Sequence, residues 1–182
     1  GQVALVDHNY AWFDGVREAV GGQDSTGFCS PSSPEPCDDS GHGTHVASTA
    51  IGKDGFGVAP DAQWIGCRNM HKGMGTPETY LNCLNFFLAP TNLQGRNPRP
   101  ELRPISVGNS YGCPSSEGCS TYSLTAAVNA LRAAGIFMSV SAGNNGPSCE
   151  TIDDPPATEP EVISVAATGP SDELAYFSSR GP

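Results

Sequence analysis

Asp38-Asp39-Ser40-Gly41-His42-Gly43-Thr44-His45-Val46-Ala47-Ser48 sets a histidine between two glycines, where a polar loop gives way to a helical run. The spacing predicts a helix that opens at Gly41–His42, runs through His45, Val46 and Ala50, and ends near Gly52. A histidine at a helix N-terminus feels the positive end of the macrodipole. That field disfavours the imidazolium and favours the neutral ring a general base needs. The flanking glycines remove side chains that would obstruct a substrate. A lone histidine is most often structural. A metal site through His42 and His45 lacks both the Glu of an H-E-x-x-H pattern and a third ligand.

Downstream, strand and helix signals alternate. Residues 62–68 read as a short buried strand. Thr76 and Pro77 supply a cap and a first-turn residue for a helix whose apolar face is Tyr80, Leu81, Leu84, Phe87 and Leu88. A polar connection rich in proline runs from Pro90 to Pro104. A strand is expected over 105–109. A helix over 122–134 follows, with Leu124, Val128 and Leu131 inward and Gly135 as its stop. Further strands are expected over 136–141 and 162–167, and a short one over 174–178. Upstream, residues 21–40 read as loop. The alternation predicts an α/β fold with a mostly parallel sheet, in which functional residues gather at the carboxyl ends of strands.

Two segments sit at such places. Val140-Ser141-Ala142-Gly143-Asn144-Asn145-Gly146-Pro147 carries a strand into small residues and then presents an amide. An Asn N–H aimed at a reacting carbonyl stabilises a developing oxyanion, although an Asn-Asn-Gly run by itself is more often a turn. Ile105-Ser106-Val107-Gly108-Asn109-Ser110-Tyr111-Gly112 ends a second strand. It contains G-x-S-x-G, the nucleophile elbow of α/β-hydrolases. That reading fails on order, because His8, His42, His45 and His71 all precede Ser110.

The chain is long enough at 182 residues for one domain with a sizeable core. Its formal net charge of −10 makes nucleic acid an unsuitable partner, and the acidity reads as a solvated surface. Seven cysteines favour an oxidising, exported setting. Cys29 with Cys37, and Cys113 with Cys119, bracket short loops and are able to close local rings. Cys67, Cys83 and Cys149 remain, and the odd count leaves one thiol over. No C-x-x-C occurs, which argues against zinc. No signal peptide or membrane-spanning run is present. With Gly1 at the start and Pro182 at the end, both ends are expected to be cut, with any export signal upstream.

Gly41-His42-Gly43-Thr44-His45-Val46-Ala47 resembles the histidine motif of the subtilisin-like serine proteases, and Ser141-Ala142-Gly143-Asn144 is similar to their oxyanion motif. Gly57-Val58-Ala59-Pro60, Pro156-Ala157 with Val162-Ile163-Ser164-Val165-Ala166-Ala167, and Phe177-Ser178-Ser179-Arg180-Gly181-Pro182 extend the resemblance over nearly the whole chain. Asp7-His8-Asn9-Tyr10-Ala11-Trp12-Phe13-Asp14 and Phe86-Phe87-Leu88-Ala89-Pro90 look like the bacillopeptidase F-like branch. A cis X-Pro bond is expected near Pro155–Pro156.

The resemblance implies a three-layer α/β subtilisin-like fold, of which residues 1–182 form a partial domain. It makes His42 the general base, His45 structural, and Asn144 instead of Asn145 the oxyanion donor. It puts Ser110, Tyr111 and Gly112 along the pocket for the residue before the scissile bond, on a strand that pairs with an extended peptide. The family nucleophile lies in a Gly-Thr-Ser-Met-Ala-type motif. No Gly-Thr-Ser occurs here, so that serine is expected beyond Pro182. Asp7 is followed by His8-Asn9 instead of the family's Thr-Gly or Ser-Gly, and reads as a loop carboxylate, with the catalytic aspartate expected upstream. The implied parent is a secreted, monomeric serine endopeptidase acting on peptides or proteins, with no membrane or nucleic-acid partner. It requires no cofactor. Calcium often stabilises the family, but no Asp-rich loop specifies a site. Residues 1–182 alone are expected to be inactive, since neither a nucleophile nor a partner for His42 is supplied. The rival reading is a non-catalytic, subtilase-like peptide-binding or structural module.

Overall fold

The elements, in chain order, are β1 (Trp12–Asp14), α1 (His42–Ile51), β2 (Gly66–Arg68), α2 (Pro77–Leu88), β3 (Ser106–Asn109), α3 (Thr125–Ala133), β4 (Phe137–Ser141) and β5 (Ile163–Val165). Single turns of 3-10 helix occupy Pro100–Leu102 and Ser115–Glu117. This is a computed structural model that describes residues 6–20 and 29–181. Residues 21–28, part of the loop expected over 21–40, lie outside the described residues.

All strand pairs are parallel. β1 pairs with β2, and β3, β4 and β5 form a second sheet in that order. Side chains alternate across β3 and β4, so Val107, Asn109, Met138 and Val140 turn inward. They meet α2 and α3 in a core that includes Tyr80, Leu84, Leu124, Val128, Leu131 and Ile136. Each Leu or Val so buried contributes about 1.5–3 kcal/mol.

α2 starts where the sequence predicts. Thr76 Oγ1 accepts from the Thr79 amide at 3.3 Å, and Thr79 Oγ1 accepts from the Thr76 amide at 2.9 Å. This reciprocal cap, with Pro77 in the first turn, satisfies amides the helix leaves unpaired. Its buried face differs from the expected one. Tyr80 and Leu84 are buried, but so are Thr79, Cys83 and Phe86, whereas Leu81, Phe87 and Leu88 are only partly covered. The reason is a second neighbour. α2 packs on α3 with one side and on β1 and β2 with the other, where Cys83 is disulfide-bonded to Cys67 and Phe86 stacks on Phe13 at 5.2 Å.

α3 is shorter than expected, because residues 121–124 form a turn instead of a helical start. Leu124, Val128 and Leu131 are fully buried, and Gly135 ends the helix at φ 79°. The strands are also shorter. Residues 62–65 do not pair and Trp64 is exposed. Ile105 lies outside β3. Only an isolated bridge from Leu174 to Thr168 stands where a strand over 174–178 is predicted. Disulfides Cys29–Cys37 and Cys113–Cys119 close the two local rings, and Cys149 is free and exposed. The Pro155–Pro156 bond is cis, as is Gly146–Pro147.

Candidate active site

The turn before α1 is organised by one carboxylate. Asp38 Oδ1 accepts from the amides of Ser40 at 3.0 Å and Gly41 at 2.8 Å; Oδ2 accepts from the Thr44 amide and the Thr44 hydroxyl, both at 2.7 Å. Burial alone would raise the Asp38 pKa. The hydrogen bonds, led by the Thr44 hydroxyl and amide, outweigh it and hold the pKa at about 2. Gly41 makes the turn at φ 81°, a left-handed conformation that costs about 1–2 kcal/mol for a residue with a Cβ. His42 follows as the first residue of α1 and is exposed, as is His45. α1 buries none of its residues fully.

Asp39 anchors the same turn to the sheet. Its Oδ2 accepts from Arg68 Nη2 at 2.7 Å, and Arg68 Nη1 donates to Asp14 Oδ2 at 3.0 Å. Arg68 Nη2 also lies 3.0 Å from Nδ1 of the buried His71. A guanidinium only donates, so His71 Nδ1 is the accepting nitrogen. The Met70 carbonyl takes Arg68 Nε at 3.1 Å. One buried cation thus joins β1, β2 and the turn that presents His42.

The Asn144 loop is held by the chain's last described segment. Ser179 donates its amide to the Gly143 carbonyl at 2.9 Å, and Ser179 Oγ accepts from the Asn145 amide at 3.0 Å. Gly143 has φ 102°, and a Cβ there would lie 2.8 Å from Ser179 Oγ. Gly146 is equally constrained, because a Cβ would fall 2.2 Å from the Ser178 carbonyl oxygen. Asn144 is exposed, and no hydrogen bond joins its side chain to another described residue.

Asn144 borders a cavity of about 340 Å³ together with Ser110, Tyr111 and Gly112. The four residues singled out after two different strands, β3 and β4, therefore meet around one space. His42 is not in its lining. Tyr111 also belongs to the core edge, stacked on Tyr80 at 4.7 Å with its hydroxyl donated to Asn109 Oδ1 at 3.0 Å. Burial pushes the phenols of both tyrosines above the usual range. Among the lining residues not foreseen as site residues are three carboxylates, Glu117, Asp153 and Asp154. Glu117 lies inside the Cys113–Cys119 ring, and the two aspartates immediately precede the Pro155–Pro156 pair. Another depression of about 190 Å³ beside Arg132 and Ile163 includes none of the candidate residues.

Asp7 is exposed, and its Oδ1 accepts from the amide and side chain of Asn9 at 2.9 and 2.8 Å. Among the described residues, no group of three or more His, Cys, Asp or Glu side chains is placed to hold a metal ion. No described helix is long and apolar enough to cross a membrane.

The Subtilase family model matches residues 17–182. Bacillopeptidase F of Bacillus subtilis (strain 168) is 39% identical over 158 residues, 81% of this chain and 10% of that protein. Serine protease AprX of the same organism is 35% identical over 162 residues, 81% of this chain and 36% of that protein. The chain thus spans a tenth of the first relative and about a third of the second. Among solved structures, sphericase aligns with a TM-score of 0.61 at 22% identity, over 97% of this chain and 62% of its own. The prenylagaramide maturation protease PagA aligns with a TM-score of 0.62 at 20% identity, over 97% and 60%. At these identities the structures show the fold: parallel sheets flanked by helices in the subtilisin-like α/β arrangement.

Proposed function

The chain belongs to the subtilase family, and on that premise we propose that it supplies the general base and the oxyanion donor of a secreted serine endopeptidase. His42 takes the proton from a serine nucleophile as that oxygen attacks the peptide carbonyl, then returns it to the leaving amine. Asn144 Nδ2 donates to the oxygen that becomes negative in the tetrahedral intermediate. Ser110, Tyr111 and Gly112 hold the residue before the scissile bond and offer backbone to an extended substrate. The serine and the aspartate that orients His42 come from outside residues 1–182. The observation that carries this reading is Asn144, exposed and uncommitted, on the border of a cavity shared with Ser110–Gly112.

The three disulfides support export into an oxidising compartment. The enzyme acts as a monomer on peptide or protein substrates, with neither nucleic acid nor membrane as partner. The chemistry needs no cofactor.

The test is peptidase activity of the full-length protein, with and without a serine-directed covalent inhibitor. Asn144→Ala is expected to lower kcat by about 10²–10³-fold, the range for an oxyanion-hole donor. His42→Ala is expected to cost more, because the nucleophile loses its base. Residues 1–182 alone are expected to show no inhibitor-sensitive turnover. A full-length protein that binds peptides but never cleaves them would establish the non-catalytic module instead.

A further inference from the structure

The cavity beside Asn144 is acidic in a particular way. Glu117, Asp153 and Asp154 all line it, on two loops that the fold brings together. The Cys113 amide donates to the Pro155 carbonyl at 2.7 Å, tying the Gly112 arm to the loop that carries both aspartates. Glu117 Oε2 accepts the Tyr80 hydroxyl at 2.5 Å and Oε1 accepts the Gly75 amide at 3.1 Å, so both its oxygens are engaged. Asp153 Oδ1 accepts from Asn145 Nδ2 at 3.1 Å.

Asp154 differs from the other two. Its side chain lies against Gly112: a Cβ added there would be 3.2 Å from Asp154 Cβ and 3.5 Å from Oδ2. Its carboxyl accepts no hydrogen bond from any described residue. Burial raises its pKa, and the charges that act on it, Asp153 and Glu117, are both negative and raise it further. Lys72 stands next to Gly73 at the rim, but it has an interaction of its own and is not among the charges acting on Asp154.

A side chain entering this space decides the energetics. An apolar or acidic one takes water from Asp154 and gives it no partner, which is unfavourable. A long basic one lays its methylenes along Tyr111 and Ala142 and brings its cationic head to the uncommitted carboxyl. It also relieves the repulsion among three carboxylates.

We propose that this pocket takes lysine or arginine as the residue before the scissile bond, and that Asp154 is the residue that specifies it. The proposal rests on the endopeptidase reading above and narrows its substrate class. Glu117 and Asp153 act as fixed background charge, since both oxygens of Glu117 and Oδ1 of Asp153 already have donors.

The experiment uses the full-length protein and peptide amides that differ only in that residue: Lys, Arg, Phe, Leu or Glu. Lys and Arg are expected to give the highest kcat/KM. Asp154→Asn keeps the side-chain shape and removes the charge. It is expected to lower the Lys-to-Leu ratio of kcat/KM by about 30-fold or more, as befits removal of one partner from a desolvated charge pair. Asp154→Glu is expected to restore part of that ratio. Because each ratio is measured on one enzyme, loss of folded protein cancels. Preference for Phe or Leu in the unmodified enzyme, or an unchanged ratio in Asp154→Asn, overturns the specificity while leaving the endopeptidase intact. Failure to cleave any of the five peptides brings down the endopeptidase reading and the specificity with it.

Discussion

Single residues set the two ends of the proposed chemistry, and both are held by partners whose roles the sequence hides unequally. Asp38 carries a local signal that the motif reading did not use, an aspartate two residues before a turn amide, and its grip on Thr44 six positions on depends on the fold of the turn. Ser179 gave no such signal. Nothing in Ser178-Ser179-Arg180 indicates that it closes on the Gly143 carbonyl, because that contact spans 36 residues of chain and exists only once β4 and the C-terminal segment are packed. Asp38 yields a prediction with a defined sign. Its folded pKa of about 2 lies below the ordinary value of 3.8, so its contribution to the start of α1 is fully present above about pH 4. That contribution is lost as the pH falls through about 2. The Ser40, Gly41 and Thr44 amide proton shifts should therefore titrate with a midpoint near 2. A midpoint at the ordinary aspartate value would show that the carboxylate does not hold the turn.

At the scale of elements, what periodicity can carry was legible, and what depends on a second neighbour was not. The three helices fall within the spans that 3.6-residue spacing, Thr76-Pro77 and Gly135 mark, although α3 starts at Thr125 instead of near 122. The strands were overextended because parallel pairing here lasts only three or four residues, and an apolar run does not record where its partner stops. Arg68 was missed altogether as a structural residue. It ends a strand in the sequence Ile65-Gly66-Cys67-Arg68, and only the paired β1–β2 arrangement shows that it must answer Asp14 and Asp39 together. Arg68→Leu leaves those two carboxylates without their cation and is expected to destabilise the protein by about 3–5 kcal/mol. Arg68→Lys should recover only part of this, since a single ammonium cannot reproduce a planar fork that reaches two carboxylates, His71 and the Met70 carbonyl. Urea unfolding midpoints of the two variants, with m values compared, check the order. Equal stability of Arg68→Leu and the unmodified protein would remove the network from any part in anchoring the His42 turn.

For the molecule as a whole, charge and apolar surface are distributed less evenly than composition suggests. The net charge of −10 reads as a solvated surface, yet three of the carboxylates behind it line the cavity next to Asn144. Composition counts charges without placing them, so the pocket's character was out of reach until the two loops met. The sheet shows a comparable asymmetry. One face of β3–β4–β5 is covered by helices; the other presents Ser106, Gly108, Ser139 and Ser141 beside Phe137, Ile163 and Val165, which are 44%, 52% and 52% exposed. Purely parallel sheets are normally covered on both faces. A face of small residues flanked by large apolar ones suits close packing by a further helix better than contact with water. α1 does not provide that cover, as it buries none of its own residues fully. Residues 1–182 produced alone are therefore expected to bind a hydrophobic dye and to self-associate as concentration rises, whereas the full-length protein should remain monomeric and bind little dye. Light scattering and dye fluorescence on both samples test this. Equal dye binding by the two would mean that the bare face stays open in the whole protein and serves some purpose other than packing.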